Sequence, residues 1–364
     1  MIEEVVITMK YIDDFEKRIS RYDAFWQGEF TDRCLMSVIA PKTTGYVEEK
    51  VPTSDKKDIY DYWTNPERIT KRFRHMIENS YYAGDALPIM NFNIGACSHA
   101  GFFKGAKWEY RDSLWFFPSI ENLATEIPEF DENAILYKKA LEMTDYFAKE
   151  CKDEFFISIP DNVGSMDVLS HLRGADLMFD MVDQPEAVHR ALVEVQKVWE
   201  LINNHCLEVL GKANNGATCI GWLRTYAKGR HAQLQCDIAC MLSADMFREF
   251  CLPELNAQAK LLDHALYHFD GIEQIRMLDM ILSVENLNTI QWTCVAGQPS
   301  PLEFIPVLKK IQQAGKNLLI IIKPEELEGI LTNLSAKGLF LVINASSKDE
   351  ADDLVKLADK LSCE

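Results

Sequence analysis

Short β-rich runs alternate with amphipathic helices through most of this chain, and that alternation limits the possible folds more than any other feature. Eight runs read as strands: LMSVIA (35–40), PIMNFNI (88–94), FFISIP (155–160), AQLQCD (232–237), ALYHF (265–269), NTIQWTC (288–294), NLLIIIK (317–323) and LFLVIN (339–344). Most are separated by helical stretches, and a strand that returns through a helix lies parallel to its predecessor. The pattern predicts an α/β fold, a TIM (β/α)8 barrel with an N-terminal helical extension. An open doubly wound sheet is the alternative, and the chain lacks the glycine-rich phosphate loop that such a sheet carries after an early strand. ATCIGWL (217–223) is a ninth candidate, expected to form a hairpin with 232–237 around the loop RTYAKGRH.

The helices announce their ends. NPERITKRFRHMIENSYYAG has Asn65 as a cap, Pro66 in the first turn and an apolar stripe at Ile69, Phe73, Met76 and Ile77. DQPEAVHRALVEVQKVWELINNHCLEVLG keeps helical spacing from Val188 to Cys206 and is expected to stop at Gly211. Ser300 with Glu303, and Ser347 with Glu350, stand at capping-box spacing. No repeat, low-complexity tract or long linker divides the 364 residues. One domain spanning 1–364 is expected, with residues 1–84 as a helical elaboration that carries the first strand.

Composition excludes several functions. The 38 basic and 56 acidic side chains give a net charge of −18, which argues against general nucleic-acid binding. No apolar run reaches the length of a membrane span. The segment MIEEVVITMKYIDDFEKR lacks the basic start and apolar middle of a signal peptide. The ten cysteines include no CxxC pair and fall in apolar segments, as reduced thiols do. A cytoplasmic protein is expected.

Strand side chains alternate between two faces. In ALYHFD, Leu266, His268 and Asp270 share one face, and the aromatic pair Tyr267 and Phe269 shares the other. An aromatic face suits packing under helices, so His268 and Asp270 are expected to face the lumen at the strand's C-terminal end, where TIM barrels place their sites. Other strands end alike: Gln233, Gln235 and Asp237 share a parity, as do Thr289, Gln291 and Thr293. Asn93, Asp161, Lys323 and Asn344 also stand at strand ends. Several polar ends meeting in one mouth predict a site. His268, Asp270 and Asp237 are the candidate catalytic residues. Asn93, Asp161, Trp222, Gln291, Trp292, Lys323 and Asn344 are candidates for substrate binding, with Trp222, Trp292 and Tyr226 as apolar lining. Each also has a plainer reading: a core histidine held by Asp270, a helix start at Lys323–Pro324, a turn at Asp161–Asn162.

These segments, taken in order, resemble the uroporphyrinogen decarboxylase superfamily over roughly residues 20 to 360. LQCDIACMLSADMFREFCLPEL (234–255), LSHLRGADLMFDMVDQPEAVHRAL (169–192) and the strand end in YHFDGIEQIRMLDMILSVENLNTIQWTCVAGQPSP (267–301) carry the resemblance. AFWQGEFTDRCLMSVIAP (24–41) is similar to the entry segment of the methyltransferase-like members. The resemblance implies a TIM barrel with its site at the C-terminal mouth. The arginine-bearing N-terminal segment by which true uroporphyrinogen decarboxylases bind a polycarboxylate is absent, so the resemblance runs closer to the corrinoid-dependent branch. Thiol-using members of that branch hold zinc with a His-x-Cys pair and a later Cys. Here His268 is in place, Asp270 stands where the Cys would be, and the later ligand falls near Asn344 or Ser346.

The resemblance implies a methyltransferase of a corrinoid-linked system that demethylates a small methylated substrate, the corrinoid being carried by a partner protein. Zinc on His268 and Asp270, with Asp237 beside them, is the implied metal site. The alternatives are a metal-free decarboxylase centred on Asp237 or Asp270, and a non-catalytic small-molecule binding barrel that has lost the chemistry. Fold-level likeness alone does not choose between them.

Overall fold

A computed structural model describes residues 10–42, 46–294 and 297–364. After a helix at Phe15–Gln27, β1 (Leu35–Pro41) leads through helices Lys56–Thr64 and Pro66–Glu78 to β2 (Ser80–Gly84) and β3 (Ile89–Met90). A hairpin, β4 (Lys107–Tyr110) and β5 (Leu114–Phe117), precedes β6 (Phe156–Ile157). The 29-residue helix Pro185–Ala213 leads to β7 (Ala217–Ile220), β8 (Thr225–Lys228) and β9 (His231–Gln235). Then come β10 (His264–Asp270), β11 (Leu287–Thr293), β12 (Asn317–Ile322) and β13 (Leu339–Asn344), with helices between them.

The fold is α/β around a seven-stranded sheet in the order β2-β1-β13-β12-β11-β10-β9. Every pair in it is parallel except β1–β2. β3 pairs in parallel with β6 as a separate two-stranded ladder. The Ile159 amide then donates to the Cys219 carbonyl at 2.9 Å, which links β6 to β7. Among the described residues, no helix is long and apolar enough to cross a membrane.

Several boundaries differ from the sequence reading, each for a local reason. The helix after Asn65 stops at Glu78, and Tyr81 and Tyr82 belong to β2, which borders β1. Aromatic residues favour a pleated edge over a further helical turn. The expected strand 88–94 pairs only at Ile89–Met90, since Asn93 turns its side-chain oxygen onto the Gly95 amide at 2.8 Å. The hairpin partner of β7 is β8, inside the stretch read as a loop, rather than 232–237. Gly211 does not end the long helix, which continues to Ala213. Ser300 caps a 3-10 turn through the Leu302 amide, and its hydroxyl donates to Glu326 at 2.5 Å, so the expected box with Glu303 does not form.

Register explains the core. Tyr267, Phe269, Ile290 and Trp292 lie on the helix-facing side of β10 and β11 and are fully buried. Phe269 stacks on Trp292 at 5.3 Å, and Phe304 covers the indole from the next helix at 5.2 Å. At the amino-terminal side, Asp85 is fully buried and accepts from Arg33 through two nitrogens, at 2.6 and 3.0 Å. It also takes the Met36 amide at 3.0 Å and Arg21 at 3.2 Å, which ties the first helix, β1 and β2 together.

Candidate functional site

The parallel register places Gln235 of β9, His268 of β10 and Gln291 of β11 side by side, with Asp270 beside Thr293 one step further along. Alternation puts all of them on the face opposite Phe269 and Trp292. Asp237 stands two residues beyond β9. One potential ligand atom from each of Asp237, His268 and Asp270 lies within 4.8 Å of the others. The sequence-predicted catalytic trio is thus one cluster, at the C-terminal ends of adjacent parallel strands.

The hydrogen bonds around His268 set its tautomer. Gln291 is fully buried and donates through Nε2 to the Trp292 carbonyl at 3.0 Å and to Thr293 Oγ1 at 2.7 Å. Its Oε1 therefore faces His268 Nδ1, which must carry the proton. Thr293 Oγ1 lies 3.2 Å from the same nitrogen. Nε2 points to the other side, 3.9 Å from Asp270 Oδ1. An imidazole held in this way is ready to act as a metal ligand or proton acceptor. The Trp222 ring meets the His268 ring edge to face at 5.1 Å.

A second chain of amides orders Asp237. The Trp222 indole N–H donates to Gln233 Oε1 at 2.5 Å. Gln233 Nε2 donates to Asp161 and, at 2.7 Å, to Gln235 Oε1. Gln235 Nε2 then donates to Asp237 Oδ2 at 3.1 Å. Asp237 Oδ1 is buried with no hydrogen-bond partner. Burial, reinforced by the Asp237 carboxylate, pushes Asp161 up to about 6. Burial also raises Asp237 itself.

The cluster borders a cavity of about 720 Å³, lined by Asp237, Asp270 and Asp167 and by apolar groups including Leu114, Val163, Met178, Ile238 and Met241. Asp167 was not foreseen. It sits in the first turn of the helix Ser165–Arg173, outside any strand parity, and only 4% of it is exposed. Its Oδ1 accepts the Ile238 amide at 3.0 Å, while Oδ2 has no hydrogen-bond partner. Burial, and the neighbouring Asp237, push it well above the usual carboxylate range. The Asp near the start of the helix in PDNVGSMDVL was the available signal. Gly164 lets this helix approach: a Cβ there would lie 2.2 Å from the Gln235 carbonyl oxygen.

The remaining candidates scatter. Asp161 and Trp222 join the amide chain. Trp292, expected to line the pocket, lies in the core on the helix side, because it alternates with Gln291. Tyr226 packs among Tyr22 and Phe156. Lys323 is exposed, and its backbone N–H binds Glu326 at the start of a 3-10 turn. The Asn344 side-chain oxygen holds Arg224, and Asn93 closes its own turn. No family model matches the chain, and no curated protein matches it.

Proposed function

We propose that this chain is a methyltransferase of a corrinoid-linked system, a cytoplasmic member of the uroporphyrinogen decarboxylase superfamily whose sheet and β3–β6–β7 strands complete a TIM barrel. It would demethylate a small methylated substrate held in the 720 Å³ cavity. The observation that carries this reading is the Asp237–His268–Asp270 cluster, whose two carboxylates line that cavity.

The donor set suits zinc. An imidazole nitrogen already in the ligating tautomer stands beside two carboxylates, and Asp237 Oδ1 is an orphaned buried acceptor that a cation would satisfy. His268, Asp237 and Asp270 would hold the ion; zinc would supply Lewis acidity to the substrate's leaving atom, and the partner's corrinoid would accept the methyl group. The protein's own residues do the rest. Gln291 and Thr293 fix the imidazole. Trp222, Gln233 and Gln235 orient Asp237. The apolar walls around Met178 and Ile238 would pack against the substrate's methyl group. A decarboxylase for a polyanion is a poorer fit, because no lysine or arginine lines the cavity among the described residues.

Metal content tests the reading. About one zinc per chain is expected in the wild-type protein. His268→Ala and Asp270→Asn should lose both the zinc and the demethylation of test ethers and amines by cob(I)alamin, with folding intact. Metal-free wild-type protein after zinc loading would overturn the zinc site. Turnover unchanged in His268→Ala would overturn the assignment of the site itself.

A further inference from the structure

The turn that joins β7 to β8 sits where several strands end. Its Gly221 amide donates to Ser158 Oγ, one residue past β6, at 2.7 Å. A Cβ on Gly221 would lie 2.7 Å from the Cα of Asn91, one residue past β3, so the turn lies close against that strand's end too. Trp222 faces Gln233 and the His268 ring. Arg224 goes the other way, to the end of β13, where Nη1 donates to the Ile343 carbonyl at 3.1 Å and Nη2 donates to Asn344 Oδ1. It does not border the 720 Å³ cavity. Its backbone is left-handed, with φ at 56°, a conformation that costs a residue with a side chain more than it costs glycine.

The charge of Arg224 is unused. Both of its acceptors are neutral, and a neutral amide donor would serve them as well. Among the described residues, the titratable groups that act on it are Tyr22 and Tyr82. Burial pushes both phenols above their ordinary 10, so neither is an anion at neutral pH. Burial pulls Arg224 itself down to about 10, which leaves it charged at neutral pH. A half-buried cation without a counterion calls for an anion from outside. The donors for one are in place. A guanidinium has five N–H bonds, and Ile343 and Asn344 take two of them. Asn344 gives its oxygen to Arg224, so its Nδ2 stays without a partner among the described residues, on an exposed side chain beside the guanidinium.

We propose that Arg224 and Asn344 form an anion site that takes a small monocarboxylate. A planar fork of N–H bonds matches a carboxylate oxygen for oxygen. One positive charge balances one negative charge, and the chain's net charge of −18 resists the second charge of a phosphate or a dicarboxylate. The assignment does not rest on the methyl-transfer reading, since it uses no residue of the Asp237–His268–Asp270 cluster.

The test titrates hexanoate and hexanamide, close in shape and different in charge, calorimetrically into protein freed of metal, so that no ion at the cluster can take the acid. Hexanoate should bind at least about tenfold more tightly than hexanamide. Arg224→Gln removes the charge and should lower hexanoate affinity by about tenfold or more, the scale of a charge-assisted hydrogen bond, while leaving hexanamide unchanged. Asn344→Asp changes an exposed side chain, keeps an acceptor for Nη2 and supplies a carboxylate from within the chain. It should cost hexanoate the same factor. Equal binding of acid and amide by the wild-type protein overturns the proposal, and so does undiminished hexanoate binding by folded Asn344→Asp, whether or not Arg224→Gln folds. Acetate then separates two sources of the carboxylate. Acetate bound within about threefold of hexanoate marks a site for a free small anion, and a wider gap marks the acid end of a longer ligand; both keep the site. Demethylation plays no part in the readout, so failure here leaves the methyl-transfer reading standing, and failure of that reading leaves the anion site.

Discussion

If the cluster holds zinc as proposed, replacing Gln291 with methionine should weaken zinc binding while leaving all three proposed ligands in place. Gln291 Oε1 accepts from His268 Nδ1 and so holds the ring with Nε2 free. Methionine fills the same volume and offers no comparable acceptor. Loss of such a support typically costs 10- to 100-fold in metal affinity, about 1.4–2.7 kcal/mol. Thr293 Oγ1, 3.2 Å from Nδ1, can take over part of the role, so the single variant should fall in the lower half of that range. The pair Gln291→Met and Thr293→Val should reach the upper half. The change also frees the Trp292 carbonyl from its 3.0 Å bond, at a stability cost of about 1–3 kcal/mol, which a thermal melt would register. Competition against a chromophoric chelator at neutral pH reads the affinity, with His268→Ala as the floor. If Gln291→Met holds zinc within about twofold of wild type while His268→Ala does not hold it, the tautomer argument is wrong.

Three further outcomes follow from the packing. Asp85→Ala removes the bidentate partner of the buried Arg33 guanidinium, leaving it only the Asp359 carboxylate, and should cost about 3–5 kcal/mol in denaturant unfolding; a loss below about 1 kcal/mol would show that Asp359 or water compensates. Burial and His171 hold His99 down at about 3 against an ordinary 6.5, so the unfolded chain binds the extra proton and stability drains as pH falls through that window. The slope is about 1.4 kcal/mol per pH unit per histidine, and His99→Leu should flatten the wild-type stability–pH curve by that amount below about pH 5.5. Gly164→Ala drives a methyl onto the Gln235 carbonyl, which should cost about 1–3 kcal/mol and loosen zinc by displacing Asp237; an unchanged melt and affinity would mean that the helix simply shifts.

The site was legible where strand alternation operates and illegible elsewhere. Period-two spacing brought His268, Asp270 and Gln291 to one face, because neighbouring parallel strands keep register. The same rule separates Gln291 from Trp292 and sends the indole to the core, away from the pocket it was expected to line. Lys323 illustrates another limit: the proline after it turns the chain, and the lysine ends as an exposed cap. Asp167 carried only its place at a helix start as a signal, because its position in the wall depends on how that helix meets the segment after β9, where it accepts the Ile238 amide across 71 residues of sequence. The edge strand β2 was missed because two tyrosines after a helix read as its last turn.

The amide chain from Trp222 to Asp237 has a direction that nothing in it can reverse. An indole only donates, so Gln233 must receive with its oxygen and give with its nitrogen, and Gln235 must do the same. The last donor lands on Asp237 Oδ2 and occupies one of its two lone pairs, leaving Oδ1 as the oxygen without a partner. In the proposed zinc site Asp237 would therefore offer chiefly one oxygen, a choice set by a side chain fifteen positions earlier in the sequence. Exchanging the indole for a ring that can accept would release the polarity of the chain and, in the proposed zinc site, leave both oxygens of Asp237 equally open to the ion, without touching the carboxylate.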